Sequence, residues 1–254
     1  MRKLTWISIL FFQLIIVSPA SAHRPDKGLD LGITAIPESQ TSYAYYRELT
    51  QDSSIHVYRL YMRVGDFFHA GINIPQLDRL KDYTVDMLLL GPGLPAFSPQ
   101  ANIPVTAGDD SLYKDLQEVV ARSRDFIGEN AGGILAPSMV SESFFEPFTQ
   151  TNYWGRQVLE LEAPQTGDYY LIVWNPNGQA GKYVLDTGTE EVFTLGDIFR
   201  FPVWWLEMRL YFEQGPALAA FSALILLALS RYILYRRSVR LASVRAGHHS
   251  KEQS

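Results

Sequence analysis

Between residues 55 and 64 apolar and polar side chains alternate. Tyr58, Leu60, Met62 and Val64 fall on one side of an extended chain, and Arg59 and Arg63 on the other. A period of two marks a half-buried strand, and Gly65-Asp66 turns it into a return strand over 67–74. The same period recurs in 83–90, where Tyr83, Val85, Met87 and Leu89 share a face before Gly91-Pro92-Gly93 stops the run. It appears again in 156–162, and 181–187 closes the set of strands. Residues 168–174 are apolar on both faces and therefore predict a central strand, set between the turns Pro164-Gln165-Thr166-Gly167 and Asn175-Pro176-Asn177-Gly178. Only 111–127 has helical spacing: Leu112, Leu116, Val119, Val120 and Phe126 make one stripe, and Asp109, Asp110 or Ser111 can cap its start. Residues 26–42 read as a polar lead.

Two runs of strands with frequent turns predict a mainly β protein, an antiparallel β-sandwich or jelly roll with a helical insertion. The sandwich spans 23–198, and the insertion lies at about 94–154.

Both ends of the chain carry apolar segments of another kind. Arg2 and Lys3, an apolar run over 4–17 and the site Ser18-Pro19-Ala20-Ser21-Ala22 form the three parts of a secretory signal peptide, residues 1–22. Cleavage after Ala22 leaves His23 at the mature N-terminus. Near the other end, 217–235 is apolar apart from Arg231, whose long side chain can reach the headgroups. Trp204, Trp205, Tyr211 and Phe212 precede this run, in an aromatic juxtamembrane segment at 199–216 that lies at the membrane surface. Arg236 and Arg237 open a basic tail at 236–254. An aromatic belt on one side and arginines on the other predict one transmembrane helix with the sandwich extracytoplasmic and the tail cytoplasmic. The predicted place is therefore a cell-envelope membrane, with the sandwich in the periplasm or at the cell surface.

Charge agrees with that division. Of 22 Lys/Arg and 27 Asp/Glu, two basic residues lie in the leader, and six basic residues and one acid lie from Arg231 onward. The stretch 23–230 is left with a net charge near −12. The basic tail suits anionic lipid headgroups, and nucleic acid is not an expected partner anywhere. The absence of cysteine excludes disulfides, thiolate metal sites and thiol nucleophiles.

The strands also carry a family pattern. Gly65, Asp86 and Gly91 in the first group, with Gly167, Tyr169, Tyr170, Val173, Gly181, Tyr183 and Leu185 in the second, stand where the bacterial pre-peptidase C-terminal domain has its turn glycines and core aromatics. The chain resembles that family over about 75 residues and departs from it in the long insertion and in having no attached protease domain. The resemblance implies a non-catalytic accessory β-sandwich, sometimes concerned with binding surfaces or calcium.

Candidate chemistry is sparse. The sequence holds no GxSxG, HExxH, P-loop, GxGxxG or EF-hand pattern. The acid pairs Asp109/Asp110, Glu142/Glu146 and Glu190/Glu191 could serve glycoside chemistry or calcium, but in so acidic a domain adjacent pairs are expected by chance, and Asp109 and Asp110 are better explained as helix-start charges. His23, His56 and His69 form the candidate metal set. A free N-terminal His23 offers an amine and an imidazole, as in a copper histidine brace, and a hairpin linking the strands of His56 and His69 would bring the second imidazole near. His248 and His249 lie in the tail. Phe144, Phe145, Phe148, Tyr153 and Trp154 form the densest aromatic run, either a partner-recognition loop or a cover completing the core. The expected function is a membrane-anchored extracytoplasmic binding or accessory module, not an enzyme, held by the lipid bilayer and working with a membrane or envelope protein. The alternative is an extracytoplasmic copper-binding protein; apart from that copper, no cofactor is expected.

Overall fold

The computed structural model describes residues 24–26, 32–99, 103, 110–192 and 194–249. The expected signal peptide and His23 lie outside the described residues, as does Asp109. The chain divides into two compact units, 1–199 and 200–254.

Among the described residues, eleven strands of the first unit build two sheets. In chain order they are β1 (Arg24–Asp26), β2 (Ile33–Ile36), β3 (Tyr43–Leu49), β4 (Ile55–Met62), β5 (Phe67–Pro75) and β6 (Asp86–Pro92). Helix α1 (Asp110–Ile127) follows, then β7 (Ala131–Leu135), β8 (Ser138–Glu146), β9 (Thr151–Glu162), β10 (Gly167–Trp174) and β11 (Gly181–Thr187). One sheet runs β1-β3-β11-β5-β9-β8 and the other β2-β4-β10-β6-β7. Neighbours are antiparallel except β1 with β3 and β2 with β4.

The period-two pattern explains the layering. Tyr58, Leu60 and Met62 of β4 and Phe68, Ala70, Ile72 and Ile74 of β5 all point into one core between the sheets. The hairpin expected of β4 and β5 therefore does not form. Their linking turn carries the chain from one sheet to the other, so that both apolar faces meet across the core and the strands pair elsewhere. Val64, expected on that inward face, lies beyond the end of β4 and is exposed.

Strand β10 is central, as its two-sided apolar run predicts. Tyr169, Leu171 and Val173 join the core between the sheets. Tyr170, Ile172 and Trp174 join a second core with Leu88, Leu90, Leu116 and Val120, which α1 covers. Gly91 of β6 is needed here, because a Cβ on it would lie 2.0 Å from the Tyr169 ring.

The structure adds strands that the pattern did not disclose. β2 lies inside the lead read as polar, and β3 follows it. The stretch read as an insertion carries α1 and also supplies β7 to one sheet and β8 to the other, as an edge strand of each. The strand expected from Tyr83 begins at Asp86, though Tyr83 and Val85 are buried in the core as expected.

In the remainder of the chain, α2 (Leu195–Tyr211) is closed at its start by Asp197, whose carboxylate accepts from the Thr194 backbone N–H at 2.7 Å and from its hydroxyl at 2.8 Å. Helix α3 (Gly215–His249) continues past the expected end at 235 and through the basic segment.

Leu171 has no exposed surface and packs in the middle of β10. Leu171→Ala is expected to cost about 2–5 kcal/mol in chemical denaturation, whereas Tyr61→Ala on the exposed side of neighbouring β4 should change stability by no more than about 0.5 kcal/mol.

Candidate functional site

A hollow of about 220 Å³ is lined by residues of β2, the start of β4 and the C-terminal half of α1. Ile33, Val57, Val119 and Phe126 give it apolar walls, and Ser53, His56, Arg122 and Ser123 supply its polar groups. Arg122 reaches it from α1 while holding Glu118 one turn earlier at 3.1 Å. The Phe126 ring is stacked on Tyr170, centroids 6.0 Å apart.

His56 stands at the start of β4 and is buried. Its Nδ1 lies 2.7 Å from the Tyr183 hydroxyl, which lies 2.8 Å from the Tyr58 hydroxyl; its Nε2 lies 3.1 Å from Ser53 Oγ. The Tyr58 ring meets Tyr45 edge-on at 5.3 Å. This is a polar thread through an aromatic part of the core, and its internal hydrogen bonds answer the cost of burying hydroxyls and an imidazole.

His69 lies on β5, in the other sheet. Its Nδ1 is 2.9 Å from Glu160 of β9 and its Nε2 is 2.9 Å from Asp186 of β11, so one imidazole ties three strands together. Asn73 donates its amide to the other Asp186 oxygen. Gly71 makes the room, since a Cβ there would come within 2.7 Å of both carboxylate oxygens. The hydrogen bond to Asp186, opposed in part by burial, raises the His69 pKa above the ordinary histidine value.

The expectation that a hairpin would join His56 and His69 is thus corrected. They occupy different sheets, and both ring nitrogens of each are already within hydrogen-bond distance of protein partners. A copper brace built on His23 would have to draw one of these imidazoles out of its pair of contacts. Among the described residues, no three His, Asp or Glu side chains are grouped to hold a metal ion. The bridge through Asp186, Asn73 and Glu160 was not foreseen. The available signal was an acid inside the apolar run of β11, paired with a strand that places His69, Gly71 and Asn73 on one face.

The aromatic run is a hairpin, not a loop: β8, a turn at 147–150, and β9. Glu146 closes the turn by accepting from the backbone N–H groups of Phe148 at 2.9 Å and Thr149 at 2.6 Å. Pairing sorts the aromatics. Tyr153 is buried, and Trp154 packs against the core beneath the Arg156 guanidinium. Phe148 is half-buried, while Phe144 and Phe145 remain exposed on β8 at the edge of the sheet. Phe144 stacks on Tyr153 at 5.5 Å. Glu142 is exposed on the same strand, and Glu190 and Glu191 are exposed beyond β11.

Among the expected membrane-interface residues, Trp204 and Phe212 are buried and Trp205 and Tyr211 are half-buried. The Trp205 ring meets Phe221 of α3 at 5.0 Å. Arg231, Arg236 and Arg237 are exposed on α3. The most apolar 18 residues of the segment Gly215–Ser238 have a mean hydropathy of 2.0, and the segment is long and apolar enough to cross a membrane.

No protein-family model matches the chain, and no curated protein matches it. Solved structures do match. The pre-peptidase C-terminal domain of a Bacillus anthracis collagenase is aligned over 64% of this chain and 99% of its own, at 9% identity and a TM-score of 0.32. CorA of Methylomicrobium album BG8, described as a surface-associated copper-binding protein important in copper acquisition, is aligned over 63% of this chain and 99% of its own, at 7% identity and a TM-score of 0.27.

Folding raises the affinity of His69 for its proton. Its contribution to stability is complete below the ordinary value of 6.5 and is lost as pH rises through the raised folded value. In denaturation series across pH, His69→Gln should therefore lose more stability at pH 6 than at pH 9. A gap that is the same at both pH values would remove the imidazolium bridge as its cause.

Proposed function

We propose that the chain is a single-pass, membrane-anchored binding module that holds its β-sandwich outside the cytoplasm and carries out no chemistry of its own. The observation that carries the reading is α3. Its 24-residue segment Gly215–Ser238 is apolar and has none of its most apolar window buried, so its side chains lack the protein cover that a core helix would have. Exposed arginines at its far end, Arg231, Arg236 and Arg237, support the orientation.

The binding part of the proposal rests on β8. A nine-residue strand at the edge of a sheet offers unpaired backbone, and this one presents Phe144 and Phe145 to solvent. The proposed partner is a membrane or envelope protein that adds to that edge. The absence of catalysis is supported by the disposition of the reactive side chains. His56 and His69 are tied to neighbours through both nitrogens, and the Glu146 carboxylate is engaged by its own turn.

In cells that express it, the full chain should stay in the membrane pellet through alkaline carbonate extraction. Protease added to cells whose outer barrier has been opened, leaving the cytoplasmic membrane sealed, should remove the sandwich and spare the tail. Release by carbonate, or protection of the sandwich, would overturn the reading. With a crosslinkable residue in place of the exposed Glu142 on the same strand, the partner should be captured, and adding Phe145→Ala should weaken capture at least tenfold with an unchanged melting midpoint. Equal capture by this variant would move the recognition surface away from β8.

A further inference from the structure

Helix α2 is apolar on two opposite sides. With 3.6 residues per turn, Trp204 and Met208 fall on one side, followed by Phe212 just past the helix end, and all three are buried. On the other side Phe199, Val203, Leu206 and Leu210 repeat at i, i+4, i+7 and i+11. Their exposures are 85%, 56%, 41% and 57%. The sequence expectation had placed the tryptophans toward lipid. Burial of Trp204 instead leaves the stripe of Phe199, Val203, Leu206 and Leu210 facing outward, with Arg200 and Glu207 along its margin.

A contiguous row of large apolar side chains left in water marks a surface that something else covers. The chain itself limits what that can be. Three residues, Phe212–Gln214, separate α2 from the membrane-length helix α3, and three residues span no more than about 10 Å. The end of α2 that carries Leu210 is thus held close to the point where α3 would enter a bilayer. A helix with one outward apolar stripe and charges on its flank is built to lie along that boundary.

We infer that α2 lies in the interfacial plane of the leaflet on the sandwich side, with Phe199, Val203, Leu206 and Leu210 in the acyl-chain boundary and Arg200 and Glu207 at headgroup level. The inference rests on the membrane-anchored reading above. Its occupant is lipid; a second copy of the chain or a partner protein on the stripe is a competing outcome.

Because the chain has no cysteine, single thiols can report on each position. Full-length Val203→Cys, Leu210→Cys, Leu226→Cys and Asn177→Cys would each carry an environment-sensitive fluorophore in phosphatidylcholine vesicles, with or without bromine on the acyl chains. Leu226 of α3 reports the anchor, and Asn177, in the turn after β10, reports the sandwich. Bromine is expected to quench labels at 203, 210 and 226 at least twofold and to leave 177 unchanged.

Quenching at 226 without quenching at 203 and 210 overturns this inference and leaves the anchor standing. Loss of quenching at all three overturns both. If 203 is shielded from aqueous iodide, escapes bromine and crosslinks between copies, protein covers the stripe and the inference also falls. Leu210→Gln provides a readout that needs no label. The melting midpoint of the full chain should stay unchanged, and a marked fall would place the stripe in the protein interior and overturn the inference.

Discussion

Burial of β10 on both faces is the constraint on which the sandwich depends. A strand in the middle of a sheet sends alternate side chains to opposite sides, so one eight-residue run must satisfy two cores at once. Tyr169, Leu171 and Val173 demand an opposing sheet, while Tyr170, Ile172 and Trp174 demand a further layer, and α1 supplies it. The long segment between β6 and β7 follows from that second demand. Without α1, Trp174 and its neighbours would face water, at a cost of about 1.5–3 kcal/mol for each large side chain.

The polar groups inside and on this scaffold are arranged to hold it. The thread from Ser53 through His56 to Tyr183 and Tyr58 satisfies groups that an all-aromatic core end would leave without partners. His69 does the same between three strands of the opposite sheet. These contacts explain why two of the histidines that look available in the sequence serve as structural ties in the fold. They also leave the edges as the surfaces with unused capacity: β2 beside the hollow, and β8 with its two exposed phenylalanines.

Short-range pattern was enough for much of this molecule. The six strands and one helix expected from periodicity all exist, because strand alternation and helical stripes are written within a few residues. The two faces of β10, the shared inward face of Tyr83, Val85, Met87 and Leu89, and the apolar segment capable of crossing a membrane were legible for the same reason. Tertiary structure decided what depends on distant partners. A four-residue edge strand such as β2 forms because β4 lies alongside it, and its own sequence announces little. Whether β4 and β5 pair or face one another is a choice between sheets, made by which arrangement buries both apolar faces. Only the pairing of β8 with β9 could seat Phe144 against the buried Tyr153 and leave Phe145 exposed, and only burial of Trp204 could turn the opposite apolar side of α2 outward. Local periodicity determines which side of an element is apolar; what meets that side depends on contacts far apart in the chain.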